Sequence, residues 1–438
     1  MSFLAVALAA VPSLARAEGE EIVAIDVVEN TKTDDATVAL IADVSVGDRF
    51  TYSLADRIRS ALVTSGLFQD IRTFTSPEKG GVKLTIIAKE KHSWVIAPTF
   101  YNQPGNTGFG FGYGNANLFG QNRKLLLYGQ LATADSLLFG VYLDPAIAGS
   151  RFYWRTDVYL RHARVTEYTS PSELLGQPVP ERLSTLDYLN GGVLLGVNLW
   201  RGLALDARLR GAYVYFSDVA WANKDDHADQ AESPQDDGWD VTYNVRLIRD
   251  RRANWHGVTT GTVFQLSWEQ ALPDLGSDVD YWMTSMGLTV AQKFLSRHNL
   301  VWKAGLGFGN QLPFQQEYTA GGAPGLRGYQ TWQFRGDMKT GSTLEYSLPL
   351  FDLGPFSFRG LGFWDSAFAT FLREDGNTQR HYLDGQTTTK LAQWRNGIGA
   401  GFRVYVRSIV LPLVGLDFGY GIEAQDYHVY LALGLVEL

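Results

Sequence analysis

A single arginine stands in the glycine-rich segment GGAPGLRGYQ, residues 321–330, which contains four glycines and no other charge. Arg327 lies between Leu326 and Gly328. A guanidinium group stays charged and can donate two parallel hydrogen bonds to one carboxylate, which a lysine does less specifically. The glycines allow the backbone to turn tightly in a crowded space. We therefore interpret Arg327 as a partner for a buried carboxylate; the alternative is an exposed loop arginine.

Other groups that could support catalysis or bind a metal are scattered. The seven histidines show no metal-ligand spacing; they are His92, His162, His227, His256, His298, His381 and His428. No nucleophile elbow, P-loop or dinucleotide fingerprint occurs. The chain has no cysteine, which excludes disulfides and thiolate-bound metal, and its net charge of −8 argues against nucleic acid as a partner. The sequence predicts neither an enzyme nor a cofactor or metal site.

The N-terminus resembles a secretory signal peptide. Residues 1–17 contain an apolar run followed by the small-residue end Ala15-Arg16-Ala17, which predicts cleavage before Glu18. The alternative is a short core helix. No later apolar run reaches the roughly 18 residues of a transmembrane helix. The pattern is typical of a periplasmic protein, a secreted protein or an outer-membrane barrel.

Residues 22–92 predict a small α+β domain. An alternating strand is followed by a short helix that Asp34 or Asp35 is placed to cap, and by a second helix that ends near Gly66. Two further alternating segments predict strands. The predicted order is therefore β-α-α-β-β.

Residues 93–438 predict an all-β transmembrane barrel. In RFYWRTDVYLRH, Phe152 and Leu160 share one strand face, whereas Arg155 and Asp157 share the other. Aromatic-rich apolar positions opposite charged ones fit a lipid face and a water-filled lumen. About sixteen such strands can be counted, an even number as expected of a bacterial antiparallel barrel. The alternative is a soluble sandwich or propeller.

The connections between these predicted strands alternate in length. Long connections are predicted at residues 165–186, 217–238, 312–337 and 373–393, and short links such as SRHN and FDLG separate them. Long connections at one end and short ones at the other are typical of outer-membrane barrels. The acidic segment 217–238 is interpreted as a solvated outer surface.

Three segments of the N-terminal domain resemble a POTRA domain, the periplasmic module of outer-membrane assembly barrels. They are VGDRFT at residues 46–51, SGLFQDI at 65–71 and LTIIAKEK at 84–91. Glu29 and Asn30 occupy the turn where POTRA domains have a glycine.

The arginine segment resembles the [VIL]-R-G-[FY] signature of the BamA/TamA/FhaC-like outer-membrane assembly superfamily. The resemblance implies that this loop folds back into the barrel lumen. It also implies that Arg327 meets a carboxylate in an F-x-D-x-G motif on the thirteenth barrel strand. Phe363, Asp365 and Ala367 match that motif, with alanine replacing the glycine, and Glu345 on the twelfth strand is a second candidate partner. The loop motif itself comprises Gly325, Leu326, Arg327, Gly328 and Tyr329.

The same resemblance implies insertion or translocation of polypeptides at the bacterial outer membrane without an energy cofactor. The implied partners are outer-membrane lipid, client outer-membrane or secreted polypeptides, and a periplasmic or accessory protein on the edge strand of the POTRA domain, which would lie in the periplasm. One alternative is a receptor or structural barrel that lacks insertase activity. A passive channel is another, but a porin has no use for a POTRA domain or a lumen-plugging loop.

The first and last barrel strands must meet to close the sheet. The predicted first strand, WVIAPTFYNQ, contains Pro98, which has no N–H to donate and is tolerated only at weak or edge positions. The last strand contains Gly434. We interpret this seam as a lateral gate; the alternative for Pro98 is a harmless position at the periplasmic rim.

Overall fold

The computed structural model describes residues 19–169, 179–200, 202–255, 257–372, 378–383, 394–406 and 412–434. The predicted signal peptide, residues 1–17, lies outside these ranges. The chain divides into two compact units. The first comprises Met1–Val95, Tyr113–Leu126 and Tyr142–Ser150, and the second comprises Ile96–Gly112, Leu127–Val141 and Arg151–Leu438.

The N-terminal region has the predicted β-α-α-β-β order, so this part of the predicted fold class is confirmed. Its elements are β1 (Ile22–Val28), α1 (Asp35–Ala42), α2 (Tyr52–Thr64), β2 (Phe68–Glu78) and β3 (Gly81–Glu90). The three-stranded sheet has the order β1-β3-β2. Strand β1 runs parallel to β3, and β2 runs antiparallel to it. Neither α-helix in the described part of the chain is long and apolar enough to cross a membrane.

Local chemistry explains where the second helix begins and ends. The side chain of Thr51 accepts a hydrogen bond from the backbone N–H of Leu54 at 3.0 Å, which satisfies one free donor of the first turn. The helix buries Leu54, Ile58 and Leu62 against the core. It ends at Thr64, two residues before Gly66, whose φ of +76° lies in the left-handed region. Asp34 occupies the N-cap position of the first helix, as expected, but its side chain makes no capping hydrogen bond.

The turn after β1 is held by a carboxylate. Glu29 adopts a left-handed φ of 68°, which costs a non-glycine residue about 1–2 kcal/mol. Glu90 accepts hydrogen bonds from Thr31 Oγ1 at 2.7 Å, from the backbone N–H of Lys32 at 2.9 Å and from that of Thr33 at 2.5 Å. Partial burial raises the pKa of Glu90, but these hydrogen bonds lower it by more, so its pKa lies below the ordinary glutamate value.

A glutamate with a lowered pKa contributes stability above its unfolded-state pKa and loses that contribution as the pH falls through its folded-state pKa. We expect the urea stability of the N-terminal region to fall as the pH drops below about 4.3. Glu90→Gln is expected to reduce that loss. Far-UV circular dichroism of the helices in the full chain would measure it, with the exposed Glu78→Gln as a control for removing one charge. Equal pH dependence in wild type and Glu90→Gln would contradict the prediction.

The remaining strands close into an antiparallel barrel of sixteen strands, as predicted. The first eight are β4 (Trp94–Gln103), β5 (Asn106–Leu118), β6 (Arg123–Ala132), β7 (Asp135–Asp144), β8 (Phe152–Thr169), β9 (Val179–Trp200), β10 (Leu203–Trp221) and β11 (Gly238–Asp250). A short strand, β12 (Ala253–Trp255), pairs with β13 as β11 does, and we count it with β11. The other eight are β13 (Val258–Ala271), β14 (Trp282–Phe294), β15 (His298–Asn310), β18 (Met338–Leu353), β19 (Phe356–Thr370), β20 (Arg395–Val406), β21 (Pro412–Gly421) and β22 (Asp426–Leu433). A small hairpin, β16 (Tyr318–Ala320) and β17 (Phe334–Gly336), lies in the loop between β15 and β18.

The barrel strands have one apolar and one charged face. On β8, Phe152 and Leu160 are exposed on the outer face. On the opposite face of the same strand, Asp157 pairs with Arg208 of β10. This separation matches a wall between lipid and a polar lumen.

The predicted long connection at residues 165–186 is wrong in its bounds. Strand β8 continues to Thr169 and β9 begins at Val179, and Glu167 lies opposite Arg182 in register. Both side chains are buried, and Arg182 Nε donates to Glu167 Oε2 at 2.6 Å. The strands extend because this face is covered by other loops and is therefore a core rather than a solvated surface.

The acidic segment 217–238 is only partly the solvated surface that was predicted. Strand β10 continues through Trp221. Gln235 is buried, and its side chain accepts a hydrogen bond from the backbone N–H of Phe314 at 2.8 Å. The carbonyl of Glu232 accepts from Arg182 NH1 at 3.0 Å. Two parts of this segment therefore pack against other loops.

Candidate functional site

The arginine loop connects β15 to β18 and contains the buried side chain of Arg327. It contains a short 3-10 turn, Phe314–Gln316, before the β16–β17 hairpin. Gly325 and Gly328 have φ values of +114° and +97°, a backbone conformation that glycine adopts readily. Arg327 follows in this turn and is 4% exposed, so it is not an exposed loop arginine.

The guanidinium group of Arg327 forms a fork of two parallel hydrogen bonds to the carboxylate of Asp365 on β19. Its Nε donates to Oδ2 at 2.7 Å, its NH2 donates to Oδ1 at 3.0 Å, and its backbone N–H donates to Oδ2 at 3.0 Å. Asp365 is completely buried. Two side-chain bonds in parallel fix the orientation of the guanidinium plane, and the third fixes the backbone of the loop.

A second carboxylate, Asp417 of β21, completes the site. Arg327 NH1 donates to Asp417 Oδ2 at 3.0 Å. Arg403 of β20 donates to the same carboxylate, at 2.5 Å to Oδ1 and 2.8 Å to Oδ2. The charges alternate from Arg403 through Asp417 and Arg327 to Asp365, so each buried charge has an opposite neighbour.

Glu345 of β18 is a weaker partner than its place in the motif suggested. Its Oε2 lies 3.6 Å from Arg327 NH1, which is an ion-pair distance but too long for a hydrogen bond. The glutamate side chain is also 30% exposed, whereas Asp417 is fully buried. Asp417 therefore takes the position that the sequence assigned to Glu345.

The other two residues of the strand motif provide packing. The ring of Phe363 lies under the Arg327 guanidinium, with 3.3 Å between Cζ and the ring centroid. Ala367 is 1% exposed and belongs to an apolar cluster with Leu326 and Tyr329 of the loop. The methyl group of Ala367 thus packs in the cluster that holds the loop, which gives the departure from glycine a physical reason.

Glu423 and Tyr430 hold the end of the loop, and the sequence interpretation missed both. Tyr329 donates from its hydroxyl to Glu423 Oε2 at 2.5 Å. The hydroxyl of Tyr430, on β22, accepts from the backbone N–H of Gly328 at 3.0 Å and donates to the carbonyl of Tyr329 at 3.0 Å. The loop is therefore bonded to strand β22 through its backbone as well as through Arg327.

Glycines on β20 and β21 make room for the loop backbone. A Cβ atom on Gly397 would lie 1.9 Å from the carbonyl oxygen of Arg327. One on Gly421 would lie 2.4 Å from the carbonyl oxygen of Gly328. Asp417, Gly419 and Gly421 alternate in GLDFGYGI and so share one strand face. This alternation is the sequence signal that could have identified Asp417.

Gly397→Val is therefore expected to displace the loop. The added side chain overlaps the loop backbone, and such overpacking typically lowers the free energy of unfolding by about 1–3 kcal/mol. Trypsin cleavage after Arg327 should become detectable, because the bond is enclosed in the wild type. Gly287→Val is the matched control, since a Cβ atom there meets nothing within 4 Å. Equal trypsin resistance of the two variants would argue against this packing.

The predicted seam residues lie against each other. Strand β22 pairs with β4 through Leu431, Ala432 and Leu433 in the described residues. Gly434 follows with a φ of +92°, and a Cβ atom on it would lie 2.4 Å from the carbonyl oxygen of Pro98. Any side chain at Gly434 would therefore push these two strands apart.

Within the described ranges, no group of three or more histidine, aspartate or glutamate side chains could hold a metal ion. The charged site described above is built from arginine–carboxylate pairs. Its chemistry is the positioning of a loop by hydrogen bonds.

Comparison with known proteins identifies the family. A family model described as the Omp85 superfamily domain matches residues 117–430. No curated protein matches the chain. Among solved structures, BamA from Haemophilus ducreyi lacking POTRA domains 1–3 is similar with a TM-score of 0.66 and 15% identity, covering 95% of this chain and 84% of that one.

Two CdiB structures are also similar in fold. CdiB from Acinetobacter baumannii has a TM-score of 0.63 and 13% identity, covering 95% of this chain and 74% of that chain. CdiB from Escherichia coli has a TM-score of 0.66 and 12% identity, covering 95% and 77%. Since the family match extends over most of the sequence and the sixteen-stranded barrel agrees with it, the chain belongs to the Omp85 superfamily.

Proposed function

We propose that this chain inserts or translocates polypeptides at the bacterial outer membrane, using the seam between β4 and β22 as a lateral gate. It is an Omp85 barrel related in fold to BamA and CdiB, which indicates an outer-membrane location and a role in insertion or translocation. The gate and the absence of an energy cofactor are the finer parts of the proposal.

The seam is the observation that carries the proposal. In the described residues β22 forms three residue pairs with β4, whereas it forms eight with β21. Pro98 of β4 cannot donate a ladder hydrogen bond. A strand edge with few hydrogen bonds is one on which a client strand can form its own backbone pairs before it leaves into the membrane.

The arginine loop supports this gate by holding the strands beside it. Arg327 bonds to β19 and β21, and the loop backbone bonds to Tyr430 of β22, which is one of the two seam strands. The proposed role of the motif residues, Gly325 to Tyr329 with Asp365, Glu345, Phe363 and Ala367, is to position this wall while the seam opens.

The proposed domain organisation is a signal peptide at residues 1–17, a POTRA domain at 22–92 in the periplasm and a barrel at 93–438. Strand β2 is an edge of the N-terminal sheet. An edge strand has free backbone donors and acceptors along one side, and it could pair with a client or an accessory protein.

Quantitative outer-membrane proteomics on a deletion strain tests the function. Complementation with wild type or with Arg327→Ala separates the effect of the loop from that of the whole chain. Selective loss of particular barrels or surface proteins, restored by wild type and not by Arg327→Ala, is the expected result. An unchanged proteome would contradict the proposal and favour a receptor or structural barrel without insertase activity, or a passive channel.

A further inference from the structure

A cavity of about 510 Å³ lies inside the barrel towards the short turns β14–β15 and β18–β19. Its volume is within the range of small-molecule sites. The side chains that carry the argument below are Thr289, Lys303, Thr343, Glu345, Arg359 and Arg403, all of which line it. Thr343 lies opposite Asp365 in register, and Glu345 lies 3.6 Å from Arg327, so the cavity adjoins the fork that holds the arginine loop; Arg359 takes no part in that fork.

Arg359 of β19 is buried beside this cavity with part of its guanidinium unused. It is 1% exposed. Its NH2 group donates to the carbonyl of Arg297 at 3.0 Å and to Ser347 Oγ at 2.9 Å. Its Nε and NH1 have no hydrogen-bond acceptor among the residues that the structure describes. A buried charged donor without an acceptor is costly, and a ligand that supplies the acceptor is one explanation for its retention.

Lys303 of β15 is a second cation with no acceptor. In the described ranges it forms neither a hydrogen bond nor an ion pair, and it is exposed to the lumen. Its neighbours in the cavity differ, because Arg403 is bonded to Asp417 and Arg252 is paired with Asp250 at 2.7 Å. Two unpaired cations therefore line one cavity.

The remaining carboxylate limits the charge of a ligand. Glu345 also lines the cavity and lies 3.6 Å from Arg327 NH1, so only part of its charge is compensated. A dianion would be repelled by it more strongly than a monoanion. The charges therefore favour a carboxylate, which is a monoanion with two acceptor oxygens.

A second cavity, beside the arginine loop, shares part of its lining with the first cavity. Lys303, Thr343 and Glu345 line both the first cavity and this second one, which has a volume of about 440 Å³. A small anion would need only a fraction of this space. An extended polypeptide segment with its carboxylate beside Arg359 and its chain running towards Lys303, which the register places level with Asp365, would use more of it.

We propose that this luminal cavity binds a carboxylate group of an extended polypeptide through Arg359 and Lys303. The polypeptide as the source of the carboxylate rests on the proposed function. The unused N–H groups of Arg359 would donate to the carboxylate, and the Lys303 ammonium on β15, which is separated from β19 by β18, would supply a second positive charge. The hydroxyl groups of Thr289 and Thr343 line the same space and can bond to peptide groups.

Isothermal titration calorimetry on the purified full chain in detergent tests the site. The probes are an acetylated hexapeptide of alternating valine and threonine with a free C-terminal carboxylate, the same peptide as its amide, and inorganic phosphate. We expect the acid to bind about tenfold more tightly than the amide, as one charge-assisted hydrogen-bond pair would provide. Arg359→Gln should abolish that difference, and Lys303→Gln should reduce it.

Arg246→Gln is the matched control. Arg246 is also a luminal arginine, but it is bonded to Asp206 at 2.8 Å and lies outside the cavity lining. It should retain the preference for the acid. Equal binding of acid and amide to the wild type, or an acid preference that survives Arg359→Gln, would overturn the proposal. Competition by phosphate as effective as that by the acid peptide would overturn its polypeptide part and leave a small-anion site.

The test is independent of the proposed function, because calorimetry needs no insertion activity. An unchanged outer-membrane proteome together with Arg359-dependent peptide binding would remove the insertase role and keep the site. Altered client levels without peptide binding would support the insertase role and overturn the peptide site in the cavity.

Discussion

Arg327→Ala is expected to lower the free energy of unfolding by roughly 3–5 kcal/mol, the range measured when one partner of a buried ion pair is removed. Asp365 is fully buried and would lose the two side-chain hydrogen bonds from Arg327. Asp417 would keep Arg403, so Asp365 is the carboxylate left without a cation. Thermal unfolding of the purified barrel measures the loss of stability.

Two companion variants separate charge from geometry. Arg327→Lys keeps the positive charge but cannot bond to Asp365 with a planar fork and to Asp417 at once, so it should recover only part of the stability. Arg327→Met combined with Asp365→Leu removes both partners and should be more stable than Arg327→Ala alone, since no buried charge is left unpaired. If Arg327→Ala unfolded at the wild-type temperature, the loop would not depend on this ion pair.

The second large effect is expected from closing the seam covalently. Phe100 and Leu433 are opposite residues of β4 and β22. The chain has no cysteine, so Phe100→Cys with Leu433→Cys introduces the only thiols. Opposite residues of antiparallel strands lie near enough for a disulfide or a short thiol crosslinker. The crosslinked protein is expected to lose client assembly, because a lateral gate must separate these strands.

The control must crosslink two strands away from the seam. Met286 and Leu306 are opposite residues of β14 and β15, and Met286 is exposed on the outer face as Leu433 is. Met286→Cys with Leu306→Cys should retain activity when oxidised. Reduction should restore the seam variant in the same complementation assay. Full activity of the oxidised seam variant would exclude a gate between β4 and β22.

The element order was predictable because it depends on local patterns. Alternation at period two identified the barrel strands, and the 3.6-residue period of Leu54, Ile58 and Leu62 identified α2. Charged and apolar faces followed from the same alternation. Each of these features depends on the residues of one strand or one helix, so it can be predicted without knowing which strands are neighbours.

The candidate site was predictable only as far as its motifs extend. Arg327, Asp365 and Phe363 come together as the resemblance implied. Asp417 bonds directly to Arg327 but was missed, because it lies 90 positions away in the sequence. Its choice over Glu345 depends on how β18 and β21 are staggered around the barrel, and this stagger is decided by pairing across the whole sheet.

The sequence by itself determined the two-part architecture, the sixteen amphipathic strands and the identity of the arginine at the centre of the loop. Only the tertiary structure decided which carboxylates meet that arginine, where β8 and β9 end and which loops are buried. The contact between Arg380 and Glu167, 213 positions apart, shows the reason. Both are fully buried, and neither has a local pattern that distinguishes it from a surface charge. Burial of a charge is a property of the closed barrel and its packed loops, whereas alternation is a property of each strand.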